Sequence, residues 1–505
     1  MGWCVGLGLA LLALFLRVWR LGTPHRFEFD ETYYAKDAWS LLHNGYVRNY
    51  VENADKLILS GQTHGLWADG PSMVVHPEVA KWLIAMGEWA LGMDPTGWRI
   101  ASAVTGSLMV LVLFRLVLRI TDSLLLASIG ALLLCFDGLH FVLSRLALID
   151  LFLAFFMLLA VHCMVADRQW IRRRLVEPVS SGWGPVVLWR PWLLCAGLAF
   201  GLAVGTKWNA LYVIAAMGLL FWAWSTGARK RIGVRRPWLP AAVLDAAPAL
   251  VYLLAVPLVV YVLTWTGWLM HAHEYELALS DTQYGPYWGS YIETDANGFL
   301  GEAWQSLRSL WHYHHDVYSF HTGFLNEATH PYASNPLGWP ILNRPVAVDA
   351  SLDIQPGQQG CGAAEGSTCL RVVTLLGTPA LWWVAVPAML WALASWVLRR
   401  DWRYGVAVVG YLATWLPWFQ YSDRPIFSYY AVAMLPFMVL GVTLVLGEII
   451  GSVDAPRRRR VIGAVVAGAV VVAVVLNFAW FWPIYTDGLL TNAEWMQRIW
   501  FDRWI

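Results

Sequence analysis

The sequence predicts an all-α protein that crosses a membrane about eleven times and carries two large outer loops. Three observations point there. Hydrophobic residues make up 58% of the 505 and charged residues only 14%; an ordinary soluble domain has about 45–50% and about 25%. Mean hydropathy is +0.51. The apolar residues gather in runs long enough for a helix to span a bilayer, and the basic residues gather in alternate loops. This composition excludes a disordered chain, a coiled coil and a typical soluble enzyme. A net charge of +1 supplies no field for a nucleic-acid partner.

The first run, 4–21, lacks a small-residue cleavage site and is expected to be an anchor, not a removed signal peptide. Runs at 97–118, 123–139, 148–166, 191–206, 209–226 and 243–266 complete an N-terminal module, 1–266. An outer segment, 267–374, follows. Runs at 375–398, 404–421, 426–449 and 461–484 then form a C-terminal module with an outer tail, 375–505.

Charge orients these runs. Arg115 and Arg119, Arg168, Arg172, Arg173, Arg174 and Arg190 fall in alternate loops. So do Arg229, Lys230, Arg231, Arg235 and Arg236, then Arg399, Arg400 and Arg403, and the run Arg457 to Arg460. They hold more than half of the 35 Lys and Arg. The positive-inside rule makes these loops cytoplasmic in a plasma-membrane protein. The N-terminus is then inside, and the loops near 22–96 and 267–374 and the C-terminal tail are outside. Arg17 and Arg20 oppose this order and are read as snorkelling to the headgroups.

The polar mass therefore lies outside. The cytoplasmic loops are short, and the chain has no P-loop, no G-x-G-x-x-G after a strand and no EF-hand loop. An ATP-driven pump is disfavoured. The two halves show no matched pair of broken spans, the mark of a secondary transporter.

The first outer loop opens with Phe27-Glu28-Phe29-Asp30-Glu31-Thr32-Tyr33-Tyr34. Adjacent carboxylates at a membrane surface are costly unless solvated or used. An Asp-Glu pair suits general-base work, one accepting a proton and the other orienting the substrate. The alternative is a solvated helix start with Asp30 as a cap. Tyr34 to Tyr46 then reads as an amphipathic helix lying on the membrane. His76 and Lys81, in His76-Pro77-Glu78-Val79-Ala80-Lys81, either reach an anion or begin another interfacial helix. Arg99, at an outer span mouth, either snorkels or holds an anion. Arg145 and Asp150 sit at another outer mouth and could simply pair, and Lys207 and Arg424 fall at predicted outer ends. Several cations on one face above a carboxylate pair suggest a bound phosphate; headgroup contact is the alternative.

The second large loop holds His271, His273, His312, His314, His315, His321 and His330. Their spacing matches no usual zinc pattern, and no Cys lies nearby. Structural or acceptor-binding histidines are preferred over a metal site. The Trp and Tyr content suggests a lid lying on the membrane. Cys361 and Cys369 lie in a Gly-rich outer segment, where an oxidising compartment favours a disulfide. Cys4, Cys135, Cys163 and Cys195 read as small apolar residues.

Taken in order, Phe29-Asp30-Glu31-Thr32-Tyr33-Tyr34, His76-Pro77 with Lys81, Arg99, and Arg145 with Asp150 resemble the bacterial protein O-mannosyltransferases. His321-Thr322, His330-Pro331-Tyr332, Trp339-Pro340, Arg344-Pro345, and Arg424 with Tyr429-Tyr430 extend the likeness over most of the chain. The family is built on the GT-C glycosyltransferase architecture. Two departures stand out. The 267–374 loop is too short for the MIR domain of eukaryotic relatives, and Glu78 stands where a second Pro or a small residue would be expected.

The resemblance implies transfer of mannose from polyprenyl-phosphate mannose to Ser or Thr hydroxyls of exported proteins, with inversion. It makes Asp30 the general base and Glu31 the residue that orients the acceptor. Arg99 leads the cations expected to hold the donor phosphate, followed by Arg145, Lys207 and Arg424. Tyr33, Tyr34, His76, Lys81, Asp150, His321, His330, Tyr429 and Tyr430 are expected around the substrates. No cofactor is required, a divalent ion being the less favoured alternative. Membrane lipids and the export machinery are the further partners expected. Competing readings are a related transferase with a lipid or glycan acceptor, a lipid-linked-sugar transporter, and a membrane scaffold.

Overall fold

A computed structural model describes residues 1–179, 182–280 and 298–505. The stretch of the second large loop from 281 to 297 lies outside these. Among the described residues, six helices are long and apolar enough to cross a membrane: Pro95–Thr121, Ile149–Arg174, Ala210–Arg231, Trp238–Thr264, Pro379–Arg399 and Arg457–Tyr485. Gly2–Val18, Leu124–Cys135, Pro191–Val204 and Leu435–Ile450 are shorter apolar helices, and Trp402–Trp415 runs on as a 3₁₀ turn to Tyr421. Every predicted run thus coincides with a helix.

Local chemistry sets the helix starts. Pro95 opens its helix while Asp94 accepts from the amides of Thr96 and Gly97. The run predicted at 123–139 breaks at Cys135, because Asp137 interrupts it. This carboxylate is fully buried. It accepts from His140 N at 3.0 Å, Thr378 N at 3.1 Å and Trp382 Nε1 at 2.7 Å, so its burial is compensated. Arg17 does not snorkel. It is fully buried, with Nη1 donating to Ala13 O and Nη2 2.8 Å from His140 Nδ1. A polar partner inside the bundle outcompetes the headgroups.

The amphipathic segment after the first helix folds as Glu31–Asn44, ending at Gly45 in the left-handed region. Its apolar side does not lie on lipid. Ala35, Ala38, Trp39 and Leu41 are buried against protein, notably the helix Val79–Leu91. The loops between the apolar helices also hold two small antiparallel sheets absent from the all-α expectation. One pairs Arg48–Tyr50 with Trp67–Pro71; the other has Cys369–Leu375 between Val346–Ile354 and Leu490–Thr491. Cys361 and Cys369 are disulfide-bonded beside it. The 25-residue helix Gly298–Thr322 packs Leu310, Tyr313 and Val317 onto Trp265, Trp268 and Tyr275. It leaves Phe299, Leu300, Trp304 and Trp311 exposed, as an interfacial helix would.

Candidate active site

The site is assembled where helix ends meet the segments that follow the first helix and those near His321 and Arg424. Asp30 is the residue before the helix Glu31–Asn44, yet its side chain makes no capping bond. Among the described residues no hydrogen bond to its carboxylate is found. Burial pushes its carboxyl up to about 6, against the opposing pull of Lys207, with Asp150 adding to the rise. Tyr34, Tyr429 and Tyr430 also face this charge.

Glu31 has the opposite fate. Its Oε1 accepts from Arg99 Nε at 2.9 Å and from Ala147 N at 2.9 Å. Its Oε2 accepts from Arg99 Nη2 at 2.7 Å and from Glu28 N at 3.0 Å. Arg99 gives its remaining N–H groups to the carbonyls of Leu21, Pro24 and Arg26. All five guanidinium donors are therefore spent. Arg99, the leading phosphate candidate in the sequence, is instead the centre of a buried knot that fixes the turn before Asp30. Glu28 lies beside it, 3.7 Å from Nη2, and burial pushes its carboxyl up to about 8.

Two other predicted anion ligands are likewise engaged. Arg145 donates to the carbonyls of Arg17, Trp19 and Arg20, closing the end of the first helix, and does not pair with Asp150. Lys81, fully buried, holds Asp37 at 2.8 Å. Asp150, in the first turn of its helix, takes Lys207 Nζ at 2.9 Å. Lys207 also sits 4.2 Å from the centre of the Tyr430 ring.

Lys207 and Arg424 line a cavity of about 360 Å³ together with His76, His321, Trp208 and Tyr212. His76 and His321 stack with ring centres 5.4 Å apart. Burial and the neighbouring cations hold both imidazoles low, His321 at about 4, so both are neutral at physiological pH. Arg424 Nη1 lies 3.3 Å from His321 Nδ1, and its Nε has no partner. Unlike Arg99, it keeps donors to spare. Trp208, Leu211 and Tyr318 are shared with a second, apolar groove of about 480 Å³ that also touches Leu253, Pro257 and Trp311. The chamber that holds the cations and the apolar groove thus share a wall.

The remaining predicted residues are dispersed. Tyr34 and Tyr429 are buried and Tyr430 half-buried near Asp30, whereas Tyr33 is 63% exposed. His330 does not join His76 and His321; its ring meets Phe29 and Phe427 edge-on. His312 and His315 lie near Asp316, and His314 near Tyr261. Trp208, Tyr212, Trp418 and Tyr421 line the cavity but were not singled out in the sequence. The polar break Lys207-Trp208-Asn209 between two apolar runs was the available signal for Trp208.

A many-helix scaffold of this kind, with ionisable side chains gathered at helix ends, is that of a multi-pass membrane protein. The comparisons specify it further. The family model described as dolichyl-phosphate-mannose-protein mannosyltransferase matches residues 8–275. The model of the C-terminal four-transmembrane region of protein-O-mannosyltransferase matches 306–504. The chain belongs to this family. It is 37% identical over 521 residues to the polyprenol-phosphate-mannose–protein mannosyltransferase of Mycobacterium tuberculosis, covering 100% of this chain and 92% of that protein. The Corynebacterium glutamicum protein of the same name is 32% identical over 98% of this chain and 92% of its own length. The fold matches that of the Saccharomyces cerevisiae Pmt1-Pmt2 complex bound to the sugar donor, with a TM-score of 0.71, 14% identity, and coverage of 100% of this chain and 92% of that one.

Proposed function

We propose that this chain transfers mannose from polyprenyl-phosphate mannose to Ser or Thr hydroxyls of exported proteins, with Asp30 as the general base. The observation that carries the reading is the contrast within the Asp-Glu pair. Glu31 is fully bonded, while the half-buried Asp30 carboxylate has no hydrogen-bond partner among the described residues and lies in the field of Lys207, a wall of the cavity.

Asp30 accepts the hydroxyl proton as the acceptor oxygen attacks the anomeric carbon. The bond from that carbon to the phosphate oxygen breaks, and its electron pair leaves on the polyprenyl phosphate. Attack opposite the leaving group inverts the centre, so a β-linked donor gives an α-linked product. Lys207 and Arg424 balance the charge growing on the phosphate. Two fixed cations match a monophosphate, so no metal enters this reading. The apolar groove beside the chamber receives the first isoprene units. Glu31 and Arg99 hold the base in place and do not touch the acceptor. The basic loops face the cytoplasm and the site opens on the outer side, where an acceptor is met as it is exported. The cavity draws His76 and Lys207 from 1–266, His321 from 267–374 and Arg424 from 375–505, so the three segments act as one unit.

The test uses membranes given radiolabelled polyprenyl-phosphate mannose and a Ser/Thr-rich peptide, comparing wild type with Asp30→Asn at matched expression. Label on the peptide that vanishes in the variant supports the reading. Label that survives moves the base elsewhere, and label found only in lipid or glycan removes the protein acceptor.

A further inference from the structure

Phe29, the residue before Asp30, has φ of +51°. A bulky non-glycine residue is rarely found there, and its surroundings must offset the strain. Three rings do so. Phe427 meets the Phe29 ring at 5.6 Å and 89°, Tyr429 at 5.9 Å and 87°, and His330 at 6.0 Å and 81°. All three are edge-to-face contacts, the arrangement favoured by the ring quadrupole. On the other side of the kink, Glu28 N and the knot of Arg99 and Glu31 tie down the chain.

An Asp at this place ordinarily folds back and caps the helix amides two or three residues on. Here Tyr33 N, three residues on, bonds to Asp30 O at 3.0 Å, Tyr34 N makes the first helical hydrogen bond to the same carbonyl at 3.1 Å, and the carboxylate is left without a partner. We infer that Phe29 is a positioning residue for the transfer reaction: its left-handed backbone, clamped by Phe427, Tyr429 and His330, keeps Asp30 from capping its own helix and holds the carboxylate free for the acceptor hydroxyl. The inference rests on the reading of Asp30 as the base. The clamp comes from segments some 300–400 residues away in sequence, so a base in the N-terminal module is held ready by side chains packed from beyond it.

The test measures kcat, donor KM and the pH profile of transfer for the full chain in lipid nanodiscs. The variants are Phe29→Tyr, Phe29→Asn, Phe29→Val, Phe427→Ala and Asp30→Asn. Phe29→Tyr keeps the ring and should stay near wild type. Phe29→Val, β-branched and intolerant of positive φ, should lose about tenfold or more in kcat. Phe29→Asn also lacks the ring but tolerates the left-handed region, and should lose clearly less. Phe427→Ala should lower kcat with donor KM within about twofold, since the donor's contacts are untouched. In the impaired variants the acid limb should fall from about 6 toward the ordinary carboxylate value, as the released carboxylate meets helix amides or water. Lys207, Asp150, Tyr34, Tyr429 and Tyr430, the other groups facing Asp30, remain in place throughout. Equal activity of the Val and Asn variants, or an unmoved limb, overturns the inference. If Phe29→Val does not fold, Phe427→Ala decides the matter, because it leaves Phe29 in place. Activity retained by Asp30→Asn would instead sink the base assignment itself; an inactive Asp30→Asn beside fully active Phe29 and Phe427 variants would sink only the positioning role.

Discussion

Two cation-bearing regions of the molecule use the same residue type in opposite ways. Around Arg99 every guanidinium donor has a fixed acceptor, two of them on Glu31, and both side chains are almost fully buried. Around Arg424 the guanidinium touches His321 at 3.3 Å, retains an unpartnered Nε and lines an open chamber. A saturated cation organises the chain, and an unsaturated one is left for a ligand. The accounting of donors separates the two roles; charge and position along the chain do not.

The largest break in the comparison should come from Asp30→Asn, with transfer falling by about 10²–10⁴-fold while donor binding persists. Because burial raises the Asp30 carboxyl to about 6, its ionisation costs stability as pH rises through that value, and the cost is absent below the ordinary value. The same variant should therefore melt a few degrees higher near pH 8 and unchanged near pH 4. A scan of melting temperature against pH checks the sign.

Next, Arg424→Ala should lower transfer by about 10²–10³-fold with melting little changed, as loss of one oxyanion donor does. Arg99→Ala should do the reverse at first sight. It strands Glu31 and should cost about 3–5 kcal/mol of stability, seen as a lower melting temperature and yield before any kinetic reading. If Arg99→Ala folded normally and only weakened donor binding, the contrast between the regions would collapse. A gentler probe is the rate profile of the wild type. Transfer per donor encounter should rise with pH through about 6, the Asp30 value, and that limb should disappear in any residual activity of Asp30→Asn. The smallest expected effect is that of a chelator: EDTA should leave the rate unchanged, because Lys207 and Arg424 balance the leaving monophosphate.

Much of the fold was legible in the sequence. The apolar runs are local features, and each overlaps a helix without reference to the rest of the chain. The segment Asp30-Glu31 and the cations Lys207 and Arg424 were legible as candidates for the same reason. Arg17 was read differently because its partner, His140, lies 123 residues away, and a distant partner leaves no trace in spacing. The strand Leu490–Thr491 leaves no trace in spacing because it pairs with Cys369–Leu375 across all the helices from Pro379–Arg399 to Arg457–Tyr485.

The sequence by itself thus determined the membrane class, the apolar helices and the pool of candidate ionisable residues, since hydrophobic length and charge type are properties of each segment alone. Only the tertiary structure decided which of those residues are occupied. Arg99 is spent on carbonyls and a carboxylate brought in from elsewhere, Glu31 is locked, and Asp30 and Arg424 are left with bonding capacity. The physical reason is that a buried polar group must find its partner in space, and the partner is fixed only when the chain is folded.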